Sequence, residues 1–370
     1  MKTKNRISYF QLSTLIILFN LGNSILICPE VYFAGQNGWI SDLLLIFMGS
    51  LSVIILIIIH KSNYKQNIVE IAGDLWSKEF KYILSIVYLI YSLHLGALSL
   101  RHISDFLSGV IMPNMSIVVF ALVLTLAASY AIIMGIGTIA KLGQIVFPFV
   151  MSLFILLLLL SLPNYNYSNL FPVIFDWKDI LRGSYSIWSL PIGNLILFSF
   201  IIPYVKNNKK QKKDRYFIFS LFISLFISVI IIGLRSIGLI LVLGGDLTKI
   251  FTYPTFSMVG VIELAQFFER LEAAFLFMWL GSTFITILIC YWSAIENIRI
   301  MCKTKNYNLF IIPTGVIMVS LSQNLFKNYS EQYVFTLKTW PIYSTIFILI
   351  IPILLLMTKL IKGKQENNNQ

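Results

Sequence analysis

Charge is scarce in this chain. Only 12% of its 370 residues are charged, against roughly 25% in an ordinary soluble domain. Acidic residues number 16 beside 28 lysines and arginines. A water-soluble domain is excluded, because too little charge is present to cover its surface. Cysteine is equally sparse: Cys28, Cys290 and Cys302 stand far apart, which leaves no disulfide framework and no metal-ligand spacing. The three histidines, His60, His94 and His102, are dispersed, and neither a zinc-protease helix nor a nucleophile elbow is present. No catalytic residue, metal or cofactor is expected, and the chain is not expected to be an enzyme. Short alternating strands of the outer-membrane type are missing. The basic stretch Met1–Arg6 leads into an apolar run without a small-residue cleavage site, so no cleavable signal is expected.

Apolar length is what the chain has. Hydrophobic residues make up 58% and the mean hydropathy is +0.83. Ten runs have the length of a bilayer-crossing helix, at about 8–31, 39–59, 81–104, 115–134, 141–162, 184–205, 216–243, 270–297, 308–325 and 340–360. An all-α polytopic membrane protein follows, a single domain over residues 1–360. With the N-terminus inside, 20 lysines and arginines fall in inner segments and 6 in outer ones. Such a bias puts both termini in the cytoplasm. It also accounts for the net charge of +12 without nucleic acid. Residues 67–80 read as an in-plane amphipathic helix. The stretch 244–268 reads as a long outer loop folding back over the mouth, and 361–370 as a disordered cytoplasmic tail. Trp39, Trp292 and Trp340 sit near segment ends, where interfacial anchors belong.

Two of the apolar runs are interrupted. The sixth carries Pro191, Gly193 and Asn194 at its centre, and the first carries Gly22-Asn23-Ser24. Pro removes a donor and clashes with the preceding turn, and Gly is the residue easiest to unwind. Interruptions at matching positions of two halves point to a transporter-type site built from discontinuous helices. The plainer alternative makes each Gly a helix contact and each Asn a buried hydrogen-bond partner.

Other polar residues align with these two segments. Tyr91, His94, Arg101 and Asp105 share a face of the third helix, where Arg101 and Asp105 can pair at i, i+4. Glu272, Thr283 and Thr286 share a face of the eighth, with Ser282 adjacent. Hydroxyls facing an unwound first helix could hold a small cation through Gly22, Ser282 and Thr283. They could also simply bond their own helix carbonyls. Glu269-Arg270-Leu271-Glu272 reads as a local ion pair or, with Arg101 and Asp105, an outer gate. No acidic residue inside the membrane stands where it would neutralise an amine.

Several of these stretches carry a family resemblance. They are Gly22-Asn23-Ser24-Ile25-Leu26 through Pro29, then Trp39, and Leu100-Arg101 through Asp105-Phe106 with Met112-Pro113. Tyr253-Pro254-Thr255 and Glu269-Arg270-Leu271-Glu272-Ala273-Ala274-Phe275 with Trp279 complete the set. In order and spacing, over about residues 8–360, they resemble the spore germination permease family, the B subunits of nutrient germinant receptors. That family belongs to the amino acid–polyamine–organocation transporter superfamily. The resemblance implies ten helices in two inverted five-helix repeats of the LeuT-like fold, about 8–162 and 184–360, with helices one and six unwound at a central site. It implies a ligand pocket from Gly22, Asn23, Ser24, Tyr91, His94, Gly193, Asn194, Thr283 and Thr286. It also implies residence in a spore inner membrane beside A-type and C-type receptor subunits, with a small nutrient as ligand. An ion-coupled amino acid transporter and a ligand-gated channel are the other functions open to such a chain.

Overall fold

The structure, a computed structural model, describes residues 6–25, 27–61, 63–173, 175–206, 210–262, 271–304 and 306–368. Helices account for almost everything described. Among these residues, six helical stretches are long and apolar enough to cross a membrane, with the shorter apolar helix Ile117–Ile133 between the second and third of them. The chain is an integral membrane protein.

The expected segments map onto helices with a few informative shifts. The first is α1 (Tyr9–Ser24) followed, after a gap, by α2 (Pro29–Ala34); α1 opens on a capping box in which Ser8 and Gln11 exchange hydrogen bonds. Then come α3 (Gly38–His60), the short α4 (Ile68–Leu75) and α5 (Lys78–Phe106). The amphipathic element expected at 67–80 is two pieces. Asn67 caps α4 and Ser77 caps α5, each accepting a bond from the third residue of its helix. After α6 (Ile117–Ile133) and α7 (Ile136–Ser161), two single 3₁₀ turns lead to α8 (Trp177–Ile187). Asp176 caps α8, which starts the sixth segment earlier than its apolar run does.

The second half holds α9 (Lys210–Leu243), α10 (Gly245–Ile250), α11 (Pro254–Gly260), α12 (Leu271–Met301) and α13 (Asn308–Asn324). The last crossing is α14 (Tyr329–Val334), α15 (Trp340–Thr345) and α16 (Ile351–Asn368), joined through two π-helical turns. The loop expected at 244–268 contains α10 and α11 up to residue 262; its remainder lies outside the described residues. The tail expected to be disordered carries helix to Asn368, in keeping with the good helix propensity of its Lys, Gln and Glu residues.

α1 lies at the centre. Its residues Leu12 to Leu21 are all buried, and it packs on α7, α9, α12 and the turn at 188–192. α6, α7 and α13 turn apolar faces outward, with Val123, Leu126, Ile145, Phe149, Leu159 and Val316 all more than half exposed. In water such a belt would be intolerable; in a bilayer it is the lipid-facing surface.

Two of the three expected interfacial tryptophans depart from expectation. Trp292 and Trp340 are buried at 1% and 0% exposure, not seated at an interface. Each gives its indole N–H to a carbonyl of the sixth segment, Trp292 to Phe200 at 3.4 Å and Trp340 to Ser189 at 3.3 Å. A large ring with one donor suits a stretch whose helix geometry leaves carbonyls free.

Candidate functional site

The first segment breaks between Ser24 and Pro29, not at Gly22-Asn23. Pro29 sets this position: it cannot continue a helix from before it, it pushes Cys28 out of helical geometry, and it starts α2 at the first helical position. The break frees carbonyls at the end of α1, and other segments satisfy them. Arg235 Nη1 donates to Ser24 O and, at 3.2 Å, to Ile27 O. Thr255 Oγ1 donates to Ile25 O at 2.6 Å.

Gly22 stays helical and serves as a contact instead. A β-carbon there would lie 2.5 Å from Thr286 Oγ1 and 2.7 Å from Ser282 O, so its absence lets α1 meet α12 backbone to backbone. Asn23 donates to Phe19 O at 3.0 Å and accepts from Ser99 Oγ of α5 at 3.3 Å. Ser24 Oγ turns back to Leu21 O at 3.3 Å.

The sixth segment is altered in pitch but not unwound. α8 passes into a π turn, Trp188–Ile192, containing Pro191, and then into a 3₁₀ helix, Gly193–Phe200. A π turn leaves room for the proline ring, and the tighter 3₁₀ winding that follows restores length. Asn194 sits just past the switch, wholly buried. Its amide donates to Leu190 O and its carbonyl accepts from the Tyr91 hydroxyl. Gly193 lies against the tip of Ile348.

Hydroxyls of α12 face the end of α1. Thr283 Oγ1 donates to Gly22 O at 3.3 Å and Thr286 Oγ1 to Phe19 O at 3.2 Å. Ser282 Oγ stays on its own helix, at 2.9 Å from Met278 O and 3.0 Å from Trp279 O, so of the cation-site trio only Gly22 and Thr283 bond to each other. The structure therefore brings Gly22, Asn23, Thr283 and Thr286 together, and Tyr91 with Asn194. His94 belongs to an aromatic group, its ring 5.1 Å from Tyr343, 5.5 Å from Trp340 and 5.6 Å from Phe335.

Arg101 and Asp105 pair at 2.8 Å, and both are buried. Arg101 Nη1 also donates to Ser322 O and Gln323 O, at 3.1 Å each, closing the end of α13. Glu272 is exposed and forms no ion pair with Arg101, while Glu269 and Arg270 lie outside the described residues.

Sequence reasoning missed the most heavily charged part of the interior. Glu30 and Asp42 are buried at 0% and 2% exposure beside Arg235, at 4%. Arg235 Nη2 donates to Glu30 Oε1 and lies 3.3 Å from Ser236 Oγ. The signal lies in Pro29-Glu30: a proline inside an apolar run marks a restart, which carries the segment from the expected end near residue 31 on to Ala34 and takes the carboxylate off the surface. At the opposite end of the bundle Glu296, 1% exposed, accepts from Tyr204 at 2.8 Å and pairs with Arg299 at 2.9 Å.

Two openings bear on the site. A cavity of about 30 Å³ beside the break is lined by Ser24, Ile25, Arg235, Thr255, Phe275 and Met278, among others. Small-molecule pockets run to roughly 300–1,000 Å³, so this one has room for water and not for a nutrient. A cleft of about 480 Å³ lies between Tyr32 and Phe33 of α2, Arg182 and Tyr185 of α8, and Lys338 and Pro341.

Known proteins match this arrangement in sequence and fold. Spore germination protein KB of Bacillus subtilis (strain 168) is 25% identical over 372 residues, covering 99% of this chain and 98% of that protein. Spore germination protein YndE of the same organism is 26% identical, covering 95% and 96%. Among solved structures, the nucleobase-cation-symport-1 family transporter Mhp1 superimposes with a TM-score of 0.59 at 16% identity, over 94% of this chain and 79% of that one. MhsT, solved with L-phenylalanine, gives 0.59 at 12% over 95% and 97%. A manganese transporter of Eremococcus coleocola gives 0.61 at 14% over 94% and 78%. At those identities the likeness establishes the fold, a LeuT-type transporter fold. The sequence profile described as spore germination protein matches residues 6–330, and the chain belongs to that family.

Proposed function

We propose that the chain is the B-type subunit of a nutrient germinant receptor, which binds a small nutrient in a transporter-type pocket and passes a change of shape to A-type and C-type partner subunits. The observation that carries this reading is the meeting of α1's broken end with the hydroxyls of α12, beside a sixth segment whose pitch changes at Asn194. Discontinuous helices meeting near mid-depth are where this kind of fold places its substrate. Ten crossings, in two inverted repeats of about 8–162 and 184–360, complete the reading. Both termini are then cytoplasmic, and a spore inner membrane is the location.

Gly22, Asn23, Ser24, Gly193 and Asn194 supply backbone and amide groups to the nutrient, and Tyr91, His94, Thr283 and Thr286 wall it. Tyr91 and Asn194 satisfy each other, as do Thr283 and Gly22, so a ligand must exchange these bonds for its own. The cleft between α2, α8 and Lys338 is the entrance, where Arg182 and Lys338 would draw in a carboxylate. An amino acid is the nutrient class in best accord with that charge. Buried Glu30 is committed to Arg235, so an ammonium group falls to carbonyls.

The fold likeness to transporters favours a second reading, an ion-coupled amino acid transporter. Binding and uptake of labelled amino acids by the purified protein in sealed vesicles separate the two. Saturable binding without gradient-driven accumulation is expected of the receptor; accumulation driven by a proton or sodium gradient overturns it. Absence of binding for every amino acid tested removes the amino acid as ligand.

A further inference from the structure

Two buried carboxylates, Glu30 and Asp42, stand near one guanidinium, and only Glu30 bonds to it. Arg235 lies within the long helix α9 and reaches the break after α1, where its Nη1 serves Ser24 O, Ile27 O and, at 3.3 Å, Cys28 Sγ. Nη2 serves Glu30 Oε1. Ser236 Oγ, 2.8 Å from the same Glu30 oxygen and 3.0 Å from Ile232 O, has a single proton to give. Glu30 Oε2 and both oxygens of Asp42 accept nothing, although both residues are more than nine-tenths buried.

Charge decides what such a group can be. With every member ionised, the cluster carries −1 in a medium where an unpaired ion is strongly disfavoured. Two carboxylates that share a site with one cation cannot both stay ionised cheaply, and one takes up a proton. Glu30 already has the guanidinium; Asp42 has no bond to it and competes with Glu30 and Ile232 O for the one Ser236 proton. We propose that Glu30, Asp42 and Arg235 form a proton-binding site that holds one proton, carried on Asp42, and ties its occupancy to the break in the first segment.

The step is simple in atoms. A hydronium ion from the solvent gives a proton to a carboxylate oxygen of Asp42: one of its O–H bonds breaks, one forms on the carboxyl, water is left, and the cluster passes from −1 to neutral. The cavity beside the break borders Ser24 and Arg235, the arginine's side of the group. When the proton leaves, two carboxylates compete for a guanidinium that also holds the carbonyls of Ser24 and Ile27. Drawing it toward Asp42 loosens those carbonyls, and with them the joint between α1 and α2.

Among the described residues, no other charge answers Asp42. The ionisable groups around it are Glu30 and Cys28 from the first segment and Arg235 from α9. On α8, which packs on α2 and α3, Lys178 is exposed, and Asp179 and Arg182 pair with each other at the surface. Lys249 of α10, exposed, stands over Gly35. His60 and Lys359 belong to the other end of α3, about 27 Å away by helix rise.

The test is infrared difference spectroscopy on the full chain in lipid vesicles, between neutral and alkaline pH, in H₂O and D₂O. A protonated carboxylic acid without hydrogen bonds shows a separate C=O stretch that shifts in D₂O and is lost when the proton leaves. The wild type should show this band at neutral pH. Asp42→Asn should abolish it. Glu30→Gln should abolish it too, because Asp42 then ionises against Arg235. Asp105→Asn and Glu296→Gln, whose acids face their own arginines, should leave it. A band that survives Asp42→Asn or Glu30→Gln overturns the proposal. So does a wild type without the band, a measurement that needs no variant to fold. The probe is pH alone, so the nutrient reading stands or falls separately.

Discussion

The hydroxyl of Tyr91 donates to the side-chain carbonyl of Asn194, joining α5 to the sixth segment where its winding tightens from π to 3₁₀. Both residues are fully buried. Tyr91 is also held by stacking on Phe347, ring centroids 4.3 Å apart.

Tyr91→Phe keeps that stack and leaves the Asn194 carbonyl buried without a donor. A group abandoned in this way costs about 1–3 kcal/mol. Asn194→Leu, similar in branching but bulkier and unable to serve Leu190 O, should cost at least as much. Because the two share one bond, the double variant should cost less than the sum, by an amount beyond the roughly 0.3–0.5 kcal/mol scatter of independent sites. Thermal unfolding of the four proteins in one detergent measures the cycle. Simple additivity would show that the two side chains do not depend on each other.

Gly22 and Gly193 look alike in the sequence, each followed by Asn, but the structure uses them differently. A methyl at Gly22 meets the carbonyl of Ser282 as well as Thr286 Oγ1, and a helix backbone cannot step aside. Overpacking of that kind costs about 1–3 kcal/mol. A methyl at Gly193 meets chiefly the tip of Ile348, which can change rotamer. Gly22→Ala should therefore destabilise more than Gly193→Ala, and Ile348→Val should rescue the second alone. Equal losses would contradict this ordering.

How much of this the sequence discloses depends on which group a residue must satisfy. Apolar length marks the helices, and the caps at Ser8, Asn67, Ser77 and Asp176 follow from residue type. The pairing of Gly22-Asn23 with Gly193-Asn194 drew attention to the two segments that meet at the site. It misplaced the break, because conformational freedom at Gly22 is spent on contact with α12, while Pro29, five residues past Ser24, ends the first helix. Glu30 and Asp42 escaped notice for a related reason. Hydropathy fixes segment ends to within several residues, and a carboxylate near an end reads as exposed until Arg235, some 200 positions later, is seen to reach it. Trp292 and Trp340 carry the same lesson: position near an end does not distinguish an interface from a core that offers free carbonyls.

Arg101 answers to both Asp105 and the end of α13. Arg101→Met should strip the buried Asp105 of its partner and free the carbonyls of Ser322 and Gln323, at about 3–5 kcal/mol. Adding Asp105→Leu should recover a large part of that loss, because the unpaired charge goes with it. The comparison of thermal stabilities checks this, and a double variant no better than Arg101→Met alone would place the whole effect in the carbonyls of α13.

At the other end of the bundle Glu296 and Arg299 form a pair whose members are not equivalent. The Glu296 side chain is 2% exposed and that of Arg299 29%. Arg299 has a second carboxylate in Glu70 at 3.9 Å, while among the described residues Glu296 has only Tyr204 besides the arginine. Removing the acid leaves a cation that water and Glu70 can serve; removing the cation leaves a buried carboxylate with one phenol. Arg299→Met should thus cost about 3 kcal/mol or more, and Glu296→Gln, which keeps an acceptor for Tyr204, nearer the 1 kcal/mol of a single hydrogen bond. Raising salt should weaken the Arg299–Glu70 contact, which is partly exposed and screened, and leave Arg299–Glu296 intact. In Glu296→Gln, then, stability should fall with ionic strength more steeply than in the wild type. Equal costs for the two substitutions, or identical salt slopes, would mean that the pair behaves as an ordinary surface bridge.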